Sequence, residues 1–274
     1  MVHKQHELIF QAGSRTYYNS ARFFPPHVRE EVFILYGFVR VADNFVDALP
    51  QNSQGFYEFC RLYRQARDHQ IPAGDHIIDP FVQLEQNRGF DPAWTEAFLA
   101  SMEMDLTKQT YDTLEETLEY IYGSAEVIGL FMAGIMGLPD ESRQSAALLG
   151  RAMQYINFIR DIDEDNRLGR RYLPLTGTSL KDLSRETAEA DREAFSFFIR
   201  QETDRYRQWQ EEAEAGYRFI HRRYRIPIKT AADMYRWTAE TIAKNPMVVY
   251  RRKVKPAQPR ILLKVLVNSL GGAG

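Results

Sequence analysis

Cysteine is nearly absent from this chain of 274 residues: Cys60 stands alone, so no internal disulfide can form, and a reducing compartment fits. A charge excess of either sign is missing too. Lys and Arg number 35 against 37 Asp and Glu, which leaves no global basic field to hold nucleic acid. No apolar run approaches the ~20 residues of a membrane span; the run at residues 261–267 is interrupted by Lys264. The first ten residues mix His, Lys, Gln and Glu and lack the apolar segment of a secretory signal, so a cytoplasmic chain is expected. Period-2 alternation and repeats of about 20–50 residues are missing as well, which argues against sheet and solenoid folds. Neither acidic segment has the Asp-x-Asp-x-Asp-Gly pattern of a calcium loop.

What is present is helical periodicity. Val32, Leu35, Tyr36, Val39 and Ala42 recur near the helical period within residues 28–47, behind the helix-starting pair Pro25-Pro26 and ahead of Pro50. Further helices are expected at 55–67, 81–88, 94–106, 113–137 and 141–166, with a loop at 71–80. An irregular segment follows to about 184, then charged amphipathic helices over 185–225. Pro227 is expected to break the pattern before a last helix at 230–243. Gly123, Gly129, Gly134 and Gly137 would weaken an isolated helix and point to close helix–helix approach or a kink. The expectation is all-α: one domain over residues 1–274, a bundle of roughly eight to ten helices.

Two helices carry acidic stripes. At 100° per residue, Tyr36, Arg40, Asp43 and Asp47 fall within about a 60° sector, embedded in strongly apolar sequence. Gln154, Asn157, Asp161 and Asp165 fall within about an 80° sector of a helix otherwise filled by Tyr155, Ile156, Phe158, Ile159 and Ile162. Charges set in apolar surroundings need partners or a metal. Carboxylates one turn apart can hold Mg²⁺, which takes oxygen ligands from one or two carboxylates, water and phosphate. Arginines such as Arg160, Arg167, Arg170 and Arg171 can neutralise the phosphate. Residue chemistry alone thus reaches a metal-dependent helical enzyme that cleaves diphosphates.

The motifs themselves carry a resemblance. Ser14-Arg15-Thr16-Tyr17-Tyr18, Leu35-Tyr36 with Arg40, and Ala42-Asp43-Asn44-Phe45-Val46-Asp47 resemble the start of the phytoene/squalene synthase family. Gln154 and Asn157, the run Ile159-Arg160-Asp161-Ile162-Asp163-Glu164-Asp165, and Gly169-Arg170-Arg171-Tyr172-Leu173-Pro174 are similar to its second signature. Tyr120-Ile121-Tyr122-Gly123-Ser124-Ala125 with Ile128-Gly129 matches its central helix, and Tyr235 with Arg251-Arg252 its C-terminal part.

The resemblance implies the isoprenoid synthase all-α fold around a central apolar cavity, with Asp43, Asp47, Asp161 and Asp165 holding Mg²⁺ (or Mn²⁺). It also implies Ser14, Arg15, Tyr17, Arg40, Arg160 and Arg170 at the substrate diphosphates, with Tyr172 nearby, and Tyr36, Tyr120, Gln154, Asn157 and Tyr235 lining the chamber. The implied reaction joins two prenyl diphosphates head to head through a cyclopropylcarbinyl diphosphate. Proton loss then gives phytoene from C20 substrates; NADPH would enter only in a squalene synthase acting on C15 substrates. A chain elongase or terpene cyclase fits less well, because Asn44 follows Asp43. A non-catalytic assembly factor of the same fold would have lost metal ligands, and all four aspartates remain. Glu126 replaces a residue often small in the family and is expected to face solvent. Residues 251–267 alternate Arg251, Arg252, Lys253, Lys255, Arg260 and Lys264 with apolar residues, a candidate for peripheral membrane contact. Nothing in the sequence sets an oligomeric state.

Overall fold

Proline opens the first helix. Its fixed φ suits a first turn and its missing N–H would have no partner there, and α1 (Pro26–Asp47) begins at Pro26. Val28, Val32, Leu35, Phe38, Ala42 and Val46, spaced three or four apart, form its buried side. The computed structural model describes residues 21–270. Three short helices follow: α2 (Ser53–His69), capped by Asn52; α3 (Ile78–Arg88); and α4 (Pro92–Thr107), capped by Asp91. Next come α5 (Leu114–Ile121), a wide π turn (Tyr122–Glu126) and α6 (Val127–Ile135). The second acidic stripe lies on α7 (Arg143–Arg160) and α8 (Ile162–Arg167). After an irregular stretch come α9 (Arg185–Ala190), α10 (Arg192–Glu214), α11 (Arg222–Lys244) and α12 (Gln258–Leu270). No strand occurs among the described residues, only an isolated bridge between Thr110 and Arg171.

The long helix α7 packs against α6, the π turn, α10 and α11. Two apolar clusters flank it. One joins α1 to α4 and α6, with Phe38 stacked on Phe81 at 3.9 Å. The other gathers α5, α7, α8, α10 and α11, with Phe158 stacked on Tyr172 at 4.3 Å. The glycine run permits the central helix to sit this close. A Cβ on Gly123 would stand 2.0 Å from the Ala97 carbonyl oxygen of α4, and one on Gly129 would stand 2.1 Å from that of Ala146 on α7.

Five expectations need correction. Residues 114–135 form one continuous helix, long and apolar enough to cross a bilayer, although Glu115, Glu116, Glu119 and Glu126 interrupt its apolar sequence. It is packed against α4 and α7 inside the bundle. Pro227 does not break a helix but sits within α11. It lies close enough to the N-terminus that few backbone bonds are lost, and its ring is buried. The helix over 141–166 is interrupted at Asp161, whose φ/ψ of −100°/13° leave the helical region. The basic tail is a helix over much of its length, α12. Glu126 does not face solvent: it is 5% exposed, and its carboxylate accepts a hydrogen bond from Arg151 Nε at 2.6 Å. A buried carboxylate needs such a partner.

A second buried acid sets a stability test. Glu85 of α3 accepts hydrogen bonds from the Tyr63 hydroxyl at 2.9 and 3.0 Å and from the Thr95 hydroxyl. Burial pushes its carboxyl up to about 7, although these bonds pull it down. The folded state therefore holds this proton to higher pH than the unfolded chain. Its contribution is fully present below the unfolded value and is lost as pH rises through the window up to about 7. Glu85→Gln should stabilise the protein by roughly 2–3 kcal/mol at pH 8 and by clearly less at pH 5, read from urea denaturation at the two pH values.

Candidate active site

Helical spacing brings the two stripes to one chamber. Tyr36, Arg40, Asp43 and Asp47 of α1 and Gln154, Asn157, Asp161 and Asp165 of α7–α8 all line a polar cavity of about 690 Å³. The kink at Asp161 does not scatter them. Asp161 N–H still donates to the Asn157 carbonyl, and Asp165 N–H to the Asp161 carbonyl, both at 2.8 Å. Tyr36, Val39, Ser124, Gln154 and Asn157 also border a second cavity of about 320 Å³, whose walls are otherwise largely apolar, with Val32, Leu35, Ile128 and Met132 among them. A charged mouth thus leads into an apolar chamber.

The mouth crowds like charges of both signs. Arg40 donates to Asp43 at 2.5 Å, yet burial and the neighbouring Asp47 still raise the Asp43 carboxyl. Burial, Asp161 and Glu164 push Asp165 up to about 8. Asp161 behaves oppositely. Burial would raise it, but two hydrogen bonds from Arg160, at 2.8 and 2.5 Å, and the Lys253 ammonium at 3.3 Å hold it below the usual carboxylate range. Lys253 also pairs with Glu164. Lys255, on the same wall, is held below the usual ammonium range by burial and by the charges of Lys253 and Arg160.

Asp105 of α4, which the sequence did not single out, ties the site together. Its carboxylate is buried and accepts hydrogen bonds from the Tyr120 and Tyr172 hydroxyls, each at 2.6 Å. Its main-chain carbonyl accepts from Arg170 at 3.2 Å, and Arg170 also donates to Asp47 at 2.6 Å and to the Val46 carbonyl at 2.8 Å. Arg170, expected at phosphate, therefore lines the chamber while stapling the end of α1 to the end of α4. The signal for Asp105 was a charge at helical spacing from Phe98 and Met102, both on the buried side of α4.

Arg160 and Tyr235 line the polar chamber as expected, beside Tyr120 and Tyr172. Ser14, Arg15 and Tyr17 lie outside the described residues. Lys253, Lys255 and Ser124 are additions that the sequence reading did not place at the site. Glu126 is turned to Arg151 and does not border the apolar chamber.

The donor set fits Mg²⁺. Every acidic ligand is a hard carboxylate oxygen, and no group of three acidic, His or Cys side chains among the described residues closes into a ready-made metal cage. That is the pattern of an ion held by one or two carboxylates with phosphate completing its shell. At the neck between the cavities, Asn157 Oδ1 and Ser124 Oγ are buried with no hydrogen-bond partner, so polar capacity is left for a ligand.

A family model described as squalene/phytoene synthase matches residues 10–260. The 15-cis-phytoene synthase of Enterobacter agglomerans is 28% identical over 275 aligned residues, spanning 96% of this chain and 93% of its own. The phytoene synthase of Arthrospira platensis is 30% identical over 264 residues, 88% of this chain and 83% of its own. Among solved structures, a dehydrosqualene synthase in complex with ligand superposes with a TM-score of 0.83 at 22% identity, over 97% of this chain and 95% of its own. The squalene synthase HpnC from Alicyclobacillus acidocaldarius gives 0.79 at 21% identity, over 91% and 94%. These structures speak to the fold: the all-α isoprenoid synthase bundle.

The Asp105 hub is testable without substrate. A hydrogen bond to a charged group contributes about 1.5–3 kcal/mol. Asp105→Asn and Tyr120→Phe should each destabilise the fold, and the double variant should fall short of their sum by about 1 kcal/mol or more in urea denaturation. Additive losses would show that the two groups do not interact.

Proposed function

The chain belongs to the squalene/phytoene synthase family, and from that premise we propose that it condenses two geranylgeranyl diphosphates head to head into 15-cis-phytoene. The observation that carries this reading is the joining of the two cavities: a mouth with two carboxylate pairs opens into a chamber whose walls are apolar. Relatives named phytoene synthase span nearly the whole chain and support the C20 reading. Small residues on the apolar wall, Ala146 and Ala213 among them, leave room for a long chain.

Asp43, Asp47, Asp161 and Asp165 would hold Mg²⁺, with Mn²⁺ as its substitute. The bound ion supplies Lewis-acid neutralisation of the leaving diphosphate. The chain's own cations do the rest of the charge work: Arg40, Arg160, Lys253 and Lys255 stand where diphosphate oxygens would lie. Tyr120 and Tyr172 direct their protons to Asp105, which turns no hydroxyl proton toward the allylic and cyclopropylcarbinyl cations that the aromatic wall would meet. The apolar walls keep water from those cations. Each condensation breaks two C–O bonds and releases two diphosphates and two protons, one as the cyclopropane closes and one as the final double bond forms.

Product analysis decides the reading. With Mg²⁺ and geranylgeranyl diphosphate, phytoene should accumulate without reductant, and EDTA should abolish turnover until Mg²⁺ is restored. Strict dependence on NADPH, with squalene formed from the C15 diphosphate, would overturn the assignment in favour of squalene synthase.

A further inference from the structure

The last helix is amphipathic in the wrong sense for a helix bathed in water. Two of its polar side chains reach the body of the bundle: Asn268 donates to Asp233 at 3.0 Å and to the Thr230 hydroxyl at 3.1 Å, and Lys264 lies 3.7 Å from Asp233. Ile261 and Val265 share that inward side. Leu262, Leu263, Leu266 and Val267 point outward and are 60, 61, 55 and 49% exposed. On a helical wheel these four fill a sector of about 140°. An apolar strip left exposed by the described residues marks an interaction site.

Charge names the partner. Residues 251–274 contain no Asp or Glu, and neither do residues 215–232, which begin the neighbouring α11. The apolar strip is instead flanked by Arg222 and Arg260, both exposed. Arg222 donates to the Ser269 carbonyl at 3.0 Å, and Arg260 lies over the Trp237 ring at 4.6 Å, so this basic border is fixed to the fold at both ends of α12. An apolar helical strip with a basic border suits the interface of an anionic bilayer.

Position supplies the second argument. The contacts of α12 run antiparallel to α11, from Trp237 through Asp233 to Arg222. On α11, Pro227, Ile228 and Ala231 line the apolar chamber, while Met234, Tyr235 and Thr238 line the charged one. One helix therefore separates the outward strip from the apolar cavity. We infer that the outward face of α12 docks the protein on the surface of an anionic phospholipid bilayer, with the apolar end of its cavity next to the lipid. The inference holds whichever prenyl chain the site accepts.

The test is vesicle flotation of the full chain with phosphatidylglycerol–phosphatidylcholine vesicles, compared with phosphatidylcholine alone. The native chain should float with the anionic vesicles and severalfold less with the neutral ones. Leu263→Glu/Leu266→Glu should lose about tenfold or more of the anionic binding while keeping its melting temperature and its turnover of detergent-dispersed substrate. The milder Leu263→Ser/Leu266→Ser carries the same test if the charged pair lowers the melting temperature. Equal flotation of native and variant chains would overturn the inference, as would equal binding to both vesicle types. So would a native dimer that the variant converts to monomer, since a second copy would then cover the strip. Release of the strip for vesicle binding only after removal of residues 1–20 would overturn it too.

Discussion

Five carboxylates and five cations are drawn together at the mouth of this fold, and their pairing leaves several of them crowded by like charge. Asp43 keeps a raised carboxyl although Arg40 touches it, and Asp165 reaches about 8 because it is buried and has Asp161 and Glu164 beside it. A few ångströms of apolar surroundings make such crowding expensive, and a group in that position either takes a proton or waits for a counter-charge. The same wall bears the mirror-image problem, a lysine, Lys255, crowded by Lys253 and Arg160. A divalent cation chelated by an anion relieves both at once, because each partner meets the charge it lacks.

Holding that arrangement open requires the two acidic helices to resist collapse and drift. Arg170 ties Asp47 and the Val46 carbonyl, at the end of α1, to the Asp105 carbonyl at the end of α4. Asp105 in turn fixes Tyr120 on α5 and Tyr172 on the segment after α8. Tyr172 stacks on Phe158 of α7, so the second stripe is registered against the first through a chain of contacts rather than by direct pairing. At the opposite side, Gly129 and Gly150 let α6 and the π turn sit backbone-to-backbone on α7. A methyl group at either position would force these backbones apart.

Much of this was legible from spacing. Asp43 with Asp47, and Gln154 with Asn157, Asp161 and Asp165, are separated by three or four residues, and a helix converts that spacing into a stripe whatever else surrounds it. The glycines were legible for the same local reason. Asp105 was not, because its partners stand 15 and 67 residues away and neither helical periodicity nor composition connects them. Lys253 was read as part of a basic tail. Its place at the site depends on the turn after α11 folding back to Glu164, 89 residues earlier in the chain. Glu126 misled for a related reason: its partner Arg151 lies on another helix, and a carboxylate on a surface cannot be told from a buried, paired one by its neighbours in sequence. Pro227 shows the limit of a breaker rule, since a proline near a helix start costs little.

The separation of charge from apolar surface along α11 gives the molecule a direction. Moving from Thr238 back to Pro227, the wall of the cavity changes from one that faces carboxylates and ammonium groups to one that faces Ile220, Ile228 and Met132. Diphosphate is stabilised only at the first end, and a hydrocarbon only at the second. A reaction that splits an amphiphile into an anion and an oil therefore yields two products that prefer opposite ends of the same passage. An oil pushed out through the mouth would cross a ring of ionised groups whose hydration it disrupts, whereas the apolar end offers no such barrier. The polar anchor of α12 at Asp233 follows from the same logic. It turns the helix so that leucines, not charges, occupy the outer surface beside that apolar end.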